Sequence, residues 1–416
     1  MNKNTISTIA ILVVLIVGQG AIILYDSSLN DKEDTGTSYT VLSRVNTEGS
    51  GLYIDSEYVT SAGVIRNDVS FYNVDSSDPS NPFFYTDKTN EHAWVGLVMG
   101  TPGTTSIQHI YLQQIVEATG LSFIPYTEGA DTSISCNCVY YVSSVTNASI
   151  ATSDTTTIDG GILWEPQYSM IITVDKFDEL ALTGDFYPNH TCCVLAGATK
   201  YINNHADVTQ RFLAAYVKAV DWMELALDDT TSEEYSKLVE ICSKYTTGIS
   251  NNIIMNALSN IIYTYGDDDG KLTSLKADVA DLVQSLNNLG NLKVSLNSLG
   301  FSKNDIIASE QFANKFVDDS YLSTVTTNLA SDEKYYYSSA HTTIAVAAIT
   351  GDIHQIGFRV AAELGYFDKC GINIVLVAET NGAGVATALQ NGEANFGFIG
   401  APPATITSIN SKLISE

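Results

Sequence analysis

The chain has 416 residues, of which 45% are hydrophobic, enough to bury a two-lobed α/β body and to argue against wholesale disorder. Lysine and arginine number 20 against 47 aspartate and glutamate residues, giving a formal net charge of −27. Such an acidic surface argues against nucleic acid and anionic lipid as partners. It leaves room for a small anionic ligand, because local backbone donors can outweigh distant carboxylates.

Residues 6–25 form an apolar segment without a charged side chain. A membrane-spanning helix needs about 20 such residues. Lys3 precedes the segment and mostly acidic residues follow it, which orients the N-terminus towards the cytoplasm. We therefore predict a single-pass anchor in the cell membrane over residues 1–25, a polar linker over residues 26–38 and an extracellular or periplasmic body. A cleaved signal peptide is the alternative, and it would export the body equally.

Six cysteines lie at positions 136, 138, 192, 193, 242 and 370. An exported chain permits disulfides, but the sequence leaves their pairing open. The one-residue spacing of Cys136 and Cys138 differs from the usual zinc pattern and favours a turn or a disulfide partner. The adjacent Cys192 and Cys193 are typical of buried thiols on a strand. We predict no metal site and no cofactor.

The first predicted elements are a strand at residues 39–45 and a buried strand at residues 94–99. A loop over residues 100–106 leads into a helix that stops at Gly120. Helical spacing of apolar residues continues over 206–227 and 272–286, where it indicates two ordinary core-facing helices.

The C-terminal 80 residues alternate regularly between strand and helix. Strands are predicted at residues 343–349, 372–377 and 395–399, and each is followed by a helical pattern. Pro402 suits the first turn of the last helix. Such an alternation indicates a parallel sheet that is covered on both faces.

Three stretches in this segment resemble the opening of one protein family. They are the turn at residues 351–355, the phrase Ala-Glu-Leu-Gly-Tyr-Phe-Asp-Lys-Cys-Gly-Ile at residues 362–372, and residues 397–404. Together they resemble the substrate-binding proteins of nitrate/taurine/sulfonate-type (NitT/TauT) ABC transporters. Residues 39–330 resemble the remainder of that family, including a strand that ends in Trp164-Glu165-Pro166.

The order of these two pieces is reversed relative to the family. We interpret the reversal as a circular permutation joined through residues 331–339, which is tolerable because the termini of a domain often lie close together. A fragment of a tandem array or a misassembled gene is the alternative. The predicted organisation lists residues 39–90 as part of lobe 1 and the hinge, 91–185 as lobe 2, 186–330 as the return to lobe 1, and 340–416 as the start of lobe 1 in family order.

The resemblance implies a two-lobed, type II periplasmic-binding-protein-like α/β fold, each lobe a mainly parallel sheet with helices on both faces. It also implies an extracytoplasmic solute-binding protein that delivers its ligand to the permease and ATPase subunits of an ABC importer. The solute would be a small anionic or organic molecule, such as a sulfonate, nitrate or a carboxylate, held in the cleft between the lobes.

Ligands of open α/β sheets lie beyond the carboxyl ends of the strands, so the loops there carry the candidate binding residues. Helix starts at residues 104–106 and 401–405 offer backbone N–H groups to an oxyanion, although their hydroxyls could serve only as caps. In the turn at residues 352–355, the imidazole and the amide are expected to donate to the ligand and the carboxylate to orient the turn. An aromatic ring at position 164 or 168 is expected to cover an organic group, with a place for Trp164 in the core of lobe 2 as the alternative. The predicted ligand-binding residues are Asp352, His354, Gln355, Asn381, Ala401, Pro402, Thr405, Glu48, Ser50, Thr104, Thr105, Ser106, Trp164 and Tyr168.

The sequence contains no nucleophile elbow, P-loop, His-Glu-x-x-His motif or metal-spaced cluster, so we do not predict an enzyme. The paired cysteines are expected outside the cleft loops. Two alternatives remain. One is a membrane-tethered sensor or surface protein with the same fold. The other is an enzyme, because the family resemblance extends to thiamine-pyrimidine-synthesis enzymes.

Overall fold

The computed structural model describes residues 38–74, 83–84, 90–130, 132, 136–146, 157–267 and 270–414. The predicted anchor and all but the last residue of the predicted linker lie outside these ranges. Within them, no helix combines the length and the apolar composition that crossing a membrane requires.

The described chain builds two six-stranded mixed sheets, and each sheet is the centre of one lobe. The sheet of lobe 1 has the strand order β14-β1-β13-β17-β15-β16. Its strands, in chain order, are β1 (Tyr39–Glu48), β13 (Thr191–Ala198), β14 (Ile261–Tyr263), β15 (Thr342–Ile349), β16 (Ile372–Glu379) and β17 (Phe396–Gly400).

The sheet of lobe 2 has the strand order β12-β2-β11-β8-β10-β9. Its strands are β2 (Ser50–Asp55), β8 (Val98–Gly100), β9 (Ser122–Pro125), β10 (Cys138–Val142), β11 (Gly160–Trp164) and β12 (Phe177–Leu182). A short three-stranded sheet and a strand pair precede β8. The sheet consists of β3 (Val59–Thr60), β4 (Gly63–Arg66) and β5 (Val69–Ser70), and the pair of β6 (Asn73–Val74) and β7 (Phe83–Phe84). The chain therefore enters lobe 2 at Ser50, well before residue 91, where the sequence places its start.

Helices connect and cover the strands. Those of the lobe 2 segment and its exit are α1 (Glu91–Trp94), α2 (Ile107–Ala118), α3 (Gln167–Ile171) and α4 (Thr183–Phe186). Lobe 1 has α5 (Thr199–Asn204), α6 (Ala206–Asp228), α7 (Glu233–Tyr245), α8 (Asn251–Ser259), α9 (Leu275–Asn288), α10 (Asp305–Phe316), α11 (Ser320–Ser331), α12 (Ile356–Glu363), α13 (Tyr366–Lys369), α14 (Gly382–Gln390) and α15 (Ala401–Ser411).

The expectation of mainly parallel sheets is wrong for lobe 1. β15 pairs in parallel with β16 and β17, but β13 is antiparallel to both β17 and β1, and β1 is antiparallel to β14. The reason is the route of the chain between lobes. The parallel strands end at the cleft, whereas β13 starts there after crossing from lobe 2 and must run away from it. In lobe 2, β2 starts at the cleft and is antiparallel to its two neighbours in the same way.

Two cores cover the two faces of the lobe 1 sheet. Because consecutive strand residues point to opposite faces, Val346 and Phe398 enter one core while Ala347 and Ile399 enter the other. The first core is built on α6, whose Phe212 ring stacks on Phe396 at 4.3 Å. The helix that the apolar spacing predicts over residues 206–227 is thereby confirmed.

One predicted strand is partly helix. Trp94 ends α1 instead of starting a strand, and the strand proper begins at Val98. The indole of Trp94 is fully buried, and its N–H donates to the carbonyl of Phe71 at 2.7 Å. A buried indole needs such a partner, and the helical turn places it within reach.

Candidate ligand cleft

A cavity of about 490 Å³ lies between the two lobes, at the ends of the parallel strands. Lobe 1 contributes the loops after β15, β16 and β17, and lobe 2 contributes those after β8, β10 and β11. The position agrees with the general rule for open α/β sheets. Seven of the predicted residues line it: Asp352, His354, Asn381, Pro402, Thr105, Ser106 and Trp164.

The turn after β15 holds a buried ion pair at the cavity wall. Asp352 caps the turn through the backbone N–H of His354, and its Oδ1 also lies 2.9 Å from the His354 Nδ1. The other ring nitrogen, Nε2, lies 2.8 Å from the carbonyl oxygen of Gly49. The side chains of the pair are 2% and 7% exposed. Both ring nitrogens are therefore engaged by the protein itself.

The charge of this pair follows from its surroundings. Burial alone lowers the pKa of His354, but the negative charges of Cys192 and Asp352 outweigh burial and raise it to about 9. The pKa of the Cys192 thiol is lowered, chiefly by the hydrogen bond from Cys193 and, against burial, by the charge of His354. The imidazole is consequently protonated at neutral pH, and both of its N–H groups donate.

Three helices begin at the cavity. Ser106 caps α2 by accepting from the N–H of His109 at 3.1 Å, and Asn381 caps α14 by accepting from the N–H of Gly384 at 3.0 Å. The first turn of α15 contains Pro402 and Pro403, which have no N–H group to offer. The helix starts thus face the cleft, but part of their donor capacity is used or missing.

Seven predicted residues do not line this cavity. Gln355 is buried, and its Oε1 accepts from the N–H of Ile349; the Thr405 hydroxyl is buried as well. Ser50 accepts from Gln108, and Glu48 accepts from the N–H of Asn189. The remaining three are Thr104, which is exposed, Ala401, which lines a neighbouring cavity, and Tyr168.

Tyr168 belongs to the core of lobe 2 rather than to the cleft. Its ring is fully buried, and its hydroxyl donates to Glu179 at 2.8 Å. Gly51 on β2 leaves the space for the ring, since a Cβ there would lie 2.3 Å from the ring atom Cζ. Apart from the imidazole of His354, only Trp164, which is half-buried, brings an aromatic ring to the cavity wall among the described residues.

The expectation that the paired cysteines lie outside the cleft is wrong. Both Cys192 and Cys193 line the cavity, because β13 begins beside it when the chain returns from lobe 2. Their sulfurs are 3.9 Å apart, and both thiols are free and buried on the strand, as the sequence indicates. The structure pairs Cys136 with Cys138 in a disulfide. The sequence also missed the cleft residues Gln108, Ser144, Thr146 and Thr380.

The lobes are joined beside the cavity at Gly49 and through residues 183–190. The carbonyl oxygen of Gly49 accepts from the backbone N–H of Glu165 in lobe 2 at 3.0 Å and from His354 in lobe 1. The Glu165 carboxylate accepts from Asn260 of lobe 1 at 2.7 Å. The wall of the cleft and the junction of the lobes are consequently one hydrogen-bonded unit.

The fold and the cleft define a two-lobed α/β protein with an interlobe cavity. A family model described as "NMT1-like family" matches residues 14–240, and one described as "NMT1/THI5 like" matches residues 353–408. Because the first model covers more than half of the chain, the protein belongs to the NMT1-like family. The predicted family resemblance is thereby confirmed.

Solved structures with a similar fold include two binding proteins. The periplasmic nitrate-binding protein NrtA from Synechocystis PCC 6803 is 12% identical with a TM-score of 0.47, over 71% of this chain and 69% of that one. The ligand-binding component of an ABC-type import system from Staphylococcus aureus, with zinc bound, is 14% identical with a TM-score of 0.42, over 69% and 74%. No curated protein matches the sequence.

Proposed function

We propose that this protein binds a small solute in the interlobe cleft and serves as the extracytoplasmic binding component of an ABC importer. One observation carries the proposal: loops at the cleft ends of both sheets line a single cavity of about 490 Å³ beside the two crossings of the chain. Pockets of about 300–1,000 Å³ bury most of a small organic ligand. Relative motion of lobes about such crossings is a common way to enclose one.

The location and partners follow from the same proposal. The apolar residues 6–25 are the membrane anchor or export signal, and the body lies outside the cytoplasm. A permease with its ATPase is the expected receiver of the solute.

We further propose that the chain is circularly permuted. The strands β15, β16 and β17 complete the sheet that β1 and β13 begin, so both pieces of the chain form one lobe. The hydroxyl of Tyr39, the first residue of β1, donates to the carbonyl oxygen of Ala404 in α15 at 2.6 Å. This contact supports a family order in which the last helix leads directly into β1.

The binding proposal is tested by thermal unfolding of the purified full chain with a panel of sulfonates, nitrate, carboxylates and thiamine precursors. A ligand at about 100 times its dissociation constant adds about 2.7 kcal/mol of stability. Trp164→Leu should then weaken the binding of that ligand at least tenfold. The matched change Trp222→Leu, on α6 away from the cavity, should leave its affinity unchanged. Equal losses in both variants would place the ligand elsewhere.

Two further measurements separate the alternatives. Co-purification of a permease with the ligand-loaded protein supports an importer, whereas ligand binding without such a partner favours a tethered sensor or surface protein. Chemical conversion of the bound ligand would instead indicate an enzyme.

A further inference from the structure

We propose that the cleft selects an uncharged ligand that both donates and accepts hydrogen bonds, rather than an oxyanion. The inference rests on the proposed binding function and adds the ligand class. It departs from the sequence-based expectation of a sulfonate, nitrate or a carboxylate.

The charge of the cavity wall is the first argument. Among its described lining residues, the ionisable groups other than the two cysteines are Asp352 and His354, which form an ion pair without net charge. Ionisation of Cys192, whose pKa is lowered, adds only negative charge to this wall. Both His354 N–H groups already donate, one to Asp352 and one to the Gly49 carbonyl oxygen. An anion entering the cleft would meet a carboxylate and no unengaged cationic donor among these residues.

Other bases do not supply the missing charge. Lys271 lines the neighbouring cavity, where Asp278 and Asp281 accompany it. The internal segments outside the described ranges contribute a single base to the sequence, Lys88. A protein with a formal net charge of −27 adds an unfavourable background for anions.

The three helix starts are the strongest argument that the cleft binds an anion. Their free N–H groups are, however, partly used by caps or replaced by proline. Each start carries a partial positive charge of about half a unit. One N–H group at the start of α2 already donates a hydrogen bond to the side chain of Ser106, and one at the start of α14 donates to that of Asn381. In α15, Pro402 and Pro403 remove two more. What remains suits the carbonyl oxygen or ring nitrogen of a neutral ligand.

The remaining wall fits such a ligand. It presents hydroxyls, a side-chain amide and one indole, so donors, acceptors and a flat apolar surface are all available. These groups are Thr105, Ser144, Thr146, Thr380, Gln108 and Trp164. A ligand with both N–H and C=O groups, such as an amide or a neutral heterocycle, can satisfy this mixed set.

The test compares probe pairs that differ in charge on one skeleton: nicotinamide with nicotinate, and methanesulfonamide with methanesulfonate. Binding to the full chain is followed by calorimetry at pH 7.5. We expect at least one uncharged member to bind at least tenfold more tightly than its anion. Anions that bind as tightly as their partners, or more tightly, would overturn the inference and leave the proposed binding function standing. No binding in any pair would count against the proposed function.

A second measurement decides the charge question without any ligand. In the Trp222→Phe protein, quenching reports on Trp164, because Trp94 is fully buried. We expect iodide to quench less than acrylamide. Thr105→Lys, at the cavity wall, should raise quenching by iodide at least twofold, and Thr104→Lys, exposed outside the cavity, should not. Iodide quenching above that of acrylamide before any substitution would show a positive cleft and refute the inference.

Discussion

Replacing His354 by glutamine should remove a large, pH-dependent part of the stability of the protein. The imidazole sits between the Asp352 carboxylate and the Gly49 carbonyl oxygen, and its side chain is 2% exposed. Removing one partner of a buried ion pair costs about 3–5 kcal/mol, since the other charge stays buried. Glutamine retains hydrogen-bonding capacity but not the charge.

The pH dependence follows from the raised pKa. Burial lowers the pKa of His354, but the charges of Cys192 and Asp352 raise it by more than burial lowers it. The pKa is therefore about 9 instead of the ordinary 6.5. Because the folded state holds the proton more tightly, the stabilisation is complete below pH 6.5 and is lost as the pH rises through 9. At about 1.36 kcal/mol per pKa unit, the whole contribution is about 3 kcal/mol.

Urea unfolding of the wild-type and His354→Gln proteins at pH 6, 7.5 and 9 measures this contribution. The difference in unfolding free energy should shrink by about 3 kcal/mol between the lowest and the highest pH. Cys192→Ser removes one of the two groups whose charge raises the pKa of His354 and should keep part of the slope. A difference that stays constant over this range would refute the assignment of a charged imidazole.

Three further predictions test the packing of the two lobes by the same unfolding assay. Gly49→Ala should cost at least about 2 kcal/mol, because the φ of Gly49 is 88° and the new Cβ would lie 2.4 Å from the Nε2 of His354. A smaller loss would mean that the backbone at the junction of the lobes can shift to make room. Asp278→Ala should cost about 3–5 kcal/mol, because it removes the carboxylate that lies 2.7 Å from the guanidinium of Arg44. The Arg44 side chain is only 1% exposed, so its charge would stay buried without a partner carboxylate. A near-neutral result would contradict a buried ion pair. Phe212→Ala should cost about 3–5 kcal/mol as a fully buried, stacked ring, whereas Leu225→Ala, 68% exposed on the same helix, should change stability by less than about 0.5 kcal/mol. Similar losses in that pair would contradict the burial of the helix.

Periodic segments were predictable from the sequence. The spacing of Ile107, Ile110 and Ile115 predicts α2 and its end near Gly120, and the apolar runs near the C-terminus predict β15, β16 and β17. These patterns are local, because a helix or strand that buries one or two faces repeats its apolar residues at a fixed period. Loops at the ends of such strands could be assigned to the cleft side for the same reason.

Strand direction and side-chain placement depended on distant parts of the chain. β13 is antiparallel to β17 because the chain crosses between lobes before it, a fact that no local pattern encodes. Tyr168 follows Trp164 by four residues, yet Gly51 on another strand provides the space that draws its ring into the core of lobe 2. Cys192 reached the cleft because β13 starts at the crossing.

The chemistry of a cleft is set by which donors remain after the fold has used its own. His354 stands in the turn where the sequence predicts a ligand donor, but its Nε2 is held by the carbonyl oxygen of Gly49, 305 residues away. That same oxygen accepts from Glu165 of the other lobe, so the imidazolium stabilises the junction on which movement of the lobes would depend. Because both of its N–H groups are engaged within the protein, we expect His354 to position the cleft wall rather than to donate to the proposed ligand. The selectivity that we propose would then depend on the uncharged groups around it, Thr105 and Trp164 among them.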